Sequence, residues 1–273
     1  MNIGIIGLGS MGSMLVKGFS KSRVVSPSQL YAYNRTTAKS HQLNQEYPFT
    51  VCEEMKTLCA QADLIFICTK PLDIYPVLQE IKRLVSNSAH LVSVAAGVSL
   101  DDLASVYDGP VSKVIPTVTS QELHGVSLFA CHERVSDQQH DDLVKLLNAI
   151  GEAQEISESA IETATILTSS GPGLIAGIME QFAQAAFRQT PEFALDTYRH
   201  MLVETLLGTA TLLKNKQLSF DQCIEQVATK GGITEEGLGV LGRTLPQAFD
   251  ELLKMTESKH ALLKEKVKEQ FKP

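Results

Sequence analysis

The sequence predicts an α/β fold, with an N-terminal mostly parallel sheet followed by an all-helical C-terminal domain. Three observations lead there. Short apolar runs alternate with helical patterns over roughly the first 150 residues, which is how a parallel sheet with crossover helices reads. A six-residue glycine pattern joins the first run to the first helical stretch. Beyond residue 156, strand-like runs disappear and long amphipathic patterns replace them.

Taken in order, the strand runs are residues 2–6, 30–33, 63–68, 90–95, 111–115, 126–130 and 152–156. They are rich in Val, Ile and aromatic residues and too short for buried helices. Residues 11–20, 37–47 and 74–84 between them carry helical patterns. In the second part, helices are expected over 159–167, 174–187, 192–213, 220–228 and 246–269. Pro172 and Pro191 stand near the starts of two of these, where proline costs least. The expected domains are therefore residues 1–157 and 158–273. A helical unit of about 110 residues has a limited core of its own. Its long apolar faces suit packing against a second copy of the chain.

Composition narrows the function classes. The 273 residues are 44% hydrophobic and 20% charged, which is ordinary globular usage. Net charge is -7, from 24 basic and 31 acidic residues, and no basic stripe precedes the C-terminal turns. Nucleic acid is not an expected partner. No run reaches the ~18 apolar residues of a spanning helix, so no membrane association is expected. The first seven residues read as a strand and not as a signal peptide. Cys52, Cys59, Cys68, Cys131 and Cys223 form no Cys-x-x-Cys pair, which points to a reduced, cytoplasmic protein. The seven histidines show no ligand spacing. Their nearest cluster, His132-Glu133 with His140-Asp141-Asp142, is expected to face solvent, and no metal is expected.

The strongest chemical signal is Gly7-Leu8-Gly9-Ser10-Met11-Gly12 between a strand and a helix. Gly7 permits the tight turn, Gly9 lets the backbone approach a pyrophosphate, and Gly12 lets helix and strand pack closely. The helix start, Ser10 and Met11, offers free N–H groups to phosphate. The next strand ends in Asn34-Arg35-Thr36 with no carboxylate. A guanidinium and a hydroxyl there match a 2′-phosphate, so NADP(H) is the expected cofactor, with NAD(H) the alternative. Thr69, Lys70 and Pro71, with Ala95 and Ala96, end later strands where ligands bind in such sheets. In the helical part, Ser170 precedes a long helix and fits an N-cap. Gly231, Gly232 and Thr234 offer convergent N–H donors for a carboxylate, though the same spacing fits a capping turn.

These segments, in this order along the whole chain, resemble the pyrroline-5-carboxylate reductase family. The match rests on the glycine loop, Thr69-Lys70-Pro71, Val94-Ala95-Ala96-Gly97-Val98, Ser170-Gly171-Pro172 and Gly231-Gly232-Ile233-Thr234. The stretches from Val114 to Thr119 and from Lys230 to Thr234 look closer still to the late-competence ComER subgroup of bacilli, a reductase-like paralogue. The resemblance implies a Rossmann domain, a helical dimerisation domain, and a homodimer or larger homo-oligomer. It implies that Gly7, Gly9, Ser10, Met11 and Gly12 hold the pyrophosphate, and that Asn34, Arg35 and Thr36 take the adenosine end. Thr69, Lys70, Pro71, Ala95 and Ala96 would line the nicotinamide half. Gly231, Gly232, Thr234 and Ser170 would receive the substrate, with Thr234 as the hydroxyl nearest the chemistry. The implied reaction is hydride transfer from NADPH to the C=N carbon of 1-pyrroline-5-carboxylate, giving proline.

The sequence also departs from the family. Thr117 stands where the family carries Asn in Met-Pro-Asn-Thr-Pro, Lys230 replaces a proline, Ile233 a threonine, and Met55 an asparagine. A second reading follows: an altered paralogue that keeps the fold and a dinucleotide site for a regulatory role in competence or development.

Overall fold

The computed structural model of the chain describes residues 1–272. Its first half alternates strand and helix: β1 (Ile3–Ile6), α1 (Ser10–Ser22), β2 (Leu30–Tyr33), α2 (Thr37–Glu46), β3 (Thr50–Cys52), α3 (Met55–Cys59) and β4 (Leu64–Ile67). There follow α4 (Ile74–Ile81), β5 (His90–Ser93), α5 (Leu100–Val106), β6 (Val111–Ile115), β7 (Val126–Cys131), α6 (Asp137–Ala149) and β8 (Glu152–Glu155). The strands make one sheet in the order β3-β2-β1-β4-β5-β6-β7-β8. Every pair is parallel except β6–β7, whose register sets Ser112 opposite Cys131 and Ile115 opposite Leu128.

β1, β4, β5 and β6 are buried along their whole length, as a parallel sheet covered on both faces requires. On one face, Met14, Leu15 and Phe19 of α1 pack with Leu143, Leu146 and Leu147 of α6. On the other, Leu58 of α3, Leu78 and Ile81 of α4, and Leu103 of α5 fill the core. Each such side chain contributes about 1.5–3 kcal/mol when fully buried. Capping boxes at Ser99 with Asp102 and at Ser136 with Gln139 start α5 and α6. β3 was not among the expected strands. It has three residues, only one of them buried, and pairs with β2 alone, so it carries little apolar pattern.

α7 (Ile161–Thr168), α8 (Gly171–Gln189), α9 (Leu195–Lys216), α10 (Phe220–Val227) and α11 (Ile233–Gln270) complete the chain. It divides into two compact units: Met1–Pro172 with the residues from Thr256 onward, and Gly173–Met255. The division thus falls later than residue 157, and the chain end returns to the first unit. Ile161 of α7 and Val267 of α11 are buried in the same core as the sheet, and Lys264 pairs with Glu162 at 3.0 Å. The last helix does not begin at Pro246. It begins at Ile233 and runs through Pro246. An interior proline removes one hydrogen bond at a cost of about 3 kcal/mol, which a 38-residue helix absorbs.

One buried group makes the fold acid-sensitive. His90 is 1% exposed, and burial pushes its imidazole down to about 4. An unfolded chain protonates this ring from about pH 6.5 downward, while the folded one resists until about pH 4. The stability held above pH 6.5 is therefore lost as pH falls through that window, by on the order of 3 kcal/mol. Urea unfolding between pH 4 and 7 should show a shallower acid slope for His90→Gln than for the wild type. Identical slopes would assign the acid lability to other groups.

Candidate cofactor and substrate site

The cofactor-side residues of the first unit gather at the C-terminal ends of β1, β2, β4 and β5. Gly7 turns the chain out of β1 with φ +96°, a conformation that favours glycine. Its N–H donates to the Tyr33 carbonyl at 2.8 Å, tying the turn to the end of β2. Gly12 lies against this turn, and a β-carbon there would stand 1.9 Å from the Gly7 carbonyl oxygen. Gly9 differs from both. Its φ is an ordinary -77°, and a β-carbon there would meet nothing within 4 Å. No contact among the described residues demands glycine at this position, and its backbone is open to close approach by a ligand.

Asn34 acts on the loop from β2. Its Oδ1 accepts from the Leu8 N–H at 2.9 Å, and its Nδ2 donates to the Thr36 carbonyl at 3.0 Å. The amide braces the glycine loop, a role that the adenosine-side assignment of Asn34 did not anticipate. Arg35 and Thr36 beside it are exposed, and Arg35 has no ion-pair partner among the described residues. A cleft of about 560 Å³ opens at the loop, lined by Gly9, Ser10, Ser13, Lys17, Lys39, Val118 and Gln121 among others. Lys17 and Lys39 add positive charge to it, against the carboxylate of Glu46. Sequence reasoning missed both, although each is the kind of basic residue a phosphate cleft uses.

At the end of β4, the Thr69 hydroxyl is buried and has no hydrogen-bond partner among the described residues. Buried polar atoms are normally satisfied, so this orphan suits a ligand at that strand end. Lys70 is exposed, Ala95 buried and Ala96 half-buried. Thr117, at the end of β6, is 1% exposed, and its hydroxyl meets that of Thr119 at 3.2 Å. Met55 is likewise buried, at 7% exposure, and lines a separate hollow of about 620 Å³ with Tyr33 and Arg83. Behind the sheet end, Lys113 is buried at 4% exposure with its ammonium 3.8 Å from Glu158. Desolvation lowers its pKa, and the Glu158 carboxylate opposes that shift. A lysine inside an apolar strand run was the available signal for it.

Ser170 belongs to the first unit, two residues before the division at Pro172, and is exposed. Gly231, Gly232 and Thr234 belong to the second unit. There the Gly231 N–H donates to Glu235 Oε2 at 2.6 Å, and the Gly232 N–H donates to the Thr229 carbonyl at 2.8 Å. The turn read as a carboxylate receiver therefore holds a carboxylate of its own chain. Thr234 is exposed in the first turn of α11. The His140 side chain is 34% exposed, so it keeps a solvent-facing side while packing on Phe129 and pairing with Glu155 at 3.0 Å.

A family model described as pyrroline-5-carboxylate reductase dimerisation matches residues 158–263. One described as NADP oxidoreductase coenzyme F420-dependent matches residues 2–97. Pyrroline-5-carboxylate reductase 3 of Bacillus subtilis is 35% identical over 272 residues, covering 98% of each chain. ComE operon protein 4 of the same organism is 30% identical, covering 99% of each. The solved structure of pyrroline carboxylate reductase from Plasmodium falciparum with NADP bound superposes with a TM-score of 0.82 at 20% identity, over 100% of this chain and 98% of that one.

Proposed function

This chain belongs to the pyrroline-5-carboxylate reductase family, and from that premise we propose that it reduces the C=N bond of 1-pyrroline-5-carboxylate to proline with NADP(H). The observation that carries the cofactor side is Gly9 at the start of α1, where a β-carbon would meet no described atom within 4 Å and the backbone stands open to a ligand. NADPH, when bound, supplies the hydride. Gly9, Ser10 and Met11 present backbone N–H groups of the α1 start to the pyrophosphate, and Asn34 keeps that loop in place. Arg35 and Thr36 take the 2′-phosphate. The unpaired Thr69 hydroxyl, with Lys70, Pro71, Ala95 and Ala96, positions the nicotinamide half. Gly231, Gly232 and Thr234, with Ser170, receive the imino acid, whose carboxylate replaces Glu235 on the Gly231 N–H. Catalysis here is mostly positioning, since the cofactor carries the bond-making step.

The assembly we infer is a homodimer built on the helical unit. α9 and α10 bury none of their residues. Phe182, Phe220 and Ile233 are 60%, 77% and 94% exposed, in a region whose family model is described by dimerisation. So much bare apolar surface marks an interface. A cytoplasmic location fits the free cysteines, and no described helix is long and apolar enough to cross a membrane.

One observation favours the regulatory alternative. Thr117 replaces the family's two-sided asparagine, and its hydroxyl is engaged with Thr119, in a chain that is also similar to ComE operon protein 4. Following NADPH absorbance with purified protein and pyrroline-5-carboxylate separates the two readings. The reductase consumes NADPH only with the imine present and yields proline in equal amount. Saturable NADPH binding without turnover would transfer the assignment to the regulatory paralogue.

A further inference from the structure

At the sheet edge opposite the glycine loop, three metal-ligating side chains converge from three elements. Cys131 ends β7, Glu155 ends the adjacent strand β8, and His140 stands in the first turns of α6. The Cys131 sulfur, a His140 ring nitrogen and a Glu155 carboxylate oxygen all lie within 4.8 Å of one another. The nitrogen facing Glu155 is Nε2, at 3.0 Å, while Nδ1 lies 3.6 Å from Asp141 Oδ1. Cys131 and His140 are half-buried and Glu155 is exposed.

Groups behind these three are arranged to support them as ligands. The Ser112 hydroxyl donates to Cys131 Sγ at 3.2 Å, and His90 Nε2 lies 2.8 Å from the Ser112 oxygen. With its proton directed at sulfur, Ser112 accepts from His90 Nε2–H. That leaves His90 Nδ1 as the unprotonated nitrogen, and it is buried with no partner among the described residues. The relay therefore runs His90 to Ser112 to Cys131: burial raises the Cys131 thiol pKa, and the Ser112 hydroxyl opposes that shift by donating to the sulfur. On the other side, Asp141 Oδ1 lies beside Nδ1 as an ion-pair contact beyond hydrogen-bond distance, and Nε2 is the nitrogen that faces the cluster. Carboxylate-oriented histidines and hydrogen-bonded ligand atoms are the usual outer surroundings of a protein-bound metal. A His–Glu ion pair alone would need neither the cysteine nor the relay behind it.

We propose that Cys131, His140 and Glu155 form a zinc(II) site that clamps β8 to β7 and α6. One soft sulfur, one imidazole and one carboxylate suit zinc, with water in the fourth position. Binding displaces the thiol proton and the proton shared by His140 and Glu155 to solvent, with no change of oxidation state. β8 is the strand that gains most. It is a four-residue edge strand, largely exposed and paired only with β7.

The test uses the full-length protein stripped of metal, titrated with Zn²⁺ against a chromophoric chelator and with Co²⁺ by absorption. The expected result is one equivalent per chain, a thiolate-to-cobalt charge-transfer band, and a rise in Tm with Zn²⁺. Cys131→Ser removes the band and His140→Gln removes the tight equivalent, while Cys223→Ser changes neither. Ser112→Ala, which leaves all three ligands, should weaken Zn²⁺ binding by about 10- to 100-fold. NADPH binding by each variant checks that the fold is intact. Absence of saturable Zn²⁺ binding by the wild type, or tight binding that survives Cys131→Ser and His140→Gln together, would overturn the site.

Discussion

Gly12→Ala is expected to abolish measurable NADPH binding and to lower Tm, whereas Gly9→Ala should weaken NADPH and leave Tm unchanged. The contrast follows from what each new methyl group meets. At Gly12 it would sit 1.9 Å from the Gly7 carbonyl oxygen and 3.2 Å from the Cys68 β-carbon. A carbonyl cannot yield as a flexible side chain does. Moving it disturbs the Gly7–Tyr33 hydrogen bond at 2.8 Å and then the Leu8–Asn34 contact at 2.9 Å. Overpacking of this kind costs about 1–3 kcal/mol or more, and it displaces the N–H groups proposed to face the pyrophosphate. At Gly9 the methyl group meets no protein atom within 4 Å, so the folded chain accommodates it and only a ligand is obstructed. An affinity loss of at least about 100-fold is expected for Gly12→Ala, equivalent to roughly 2.7 kcal/mol at 1.36 kcal/mol per tenfold. Fluorescence titration with NADPH and thermal melts read both quantities. Wild-type affinity in Gly9→Ala would place the pyrophosphate somewhere other than this loop.

The second large effect is a change of cofactor choice. Arg35→Asp should weaken NADPH by about 30- to 1,000-fold while changing NADH by less than about threefold. Only NADPH carries the 2′-phosphate, and Arg35 is exposed with no ion-pair partner among the described residues, so its charge is available to that group. A unit-charge pair at 4 Å is worth about 1 kcal/mol in water and about 4 kcal/mol at an effective dielectric of 20. The reversal removes the attraction and adds a repulsion, which sets an expected penalty of about 2–4 kcal/mol. Salt should reduce the difference, because the site is open to solvent. Kd values for both cofactors, taken at low and moderate ionic strength, measure it. Equal losses for NADPH and NADH would remove Arg35 from the 2′-phosphate assignment.

Features that depend on neighbours in the chain are legible in the sequence. The alternation that fixes a parallel sheet is local, and so is the strand–glycine–helix passage from Ile3 to Gly12. The residues at strand ends, Thr69 to Pro71 and Ala95 to Ala96, could be named because a parallel sheet delivers successive C-terminal ends to one edge. Short or weakly apolar elements were less legible. β3 has only one buried residue, and the start of α11 was hidden behind Pro246, which reads as a helix beginning.

By itself, the sequence determined the α/β class, the glycine loop and the lack of an acidic residue after β2, all set by residue type and short spacing. The tertiary structure alone decided that Asn34 braces the loop, that Glu235 sits on the Gly231 N–H, and that α7 and the end of α11 share the sheet's core. It also decided that Cys131, His140 and Glu155, separated by 9 and 15 positions, meet at one edge. The physical reason is that strand register and helix packing bring distant residues together, and both arise only when the apolar faces of many elements are buried at once.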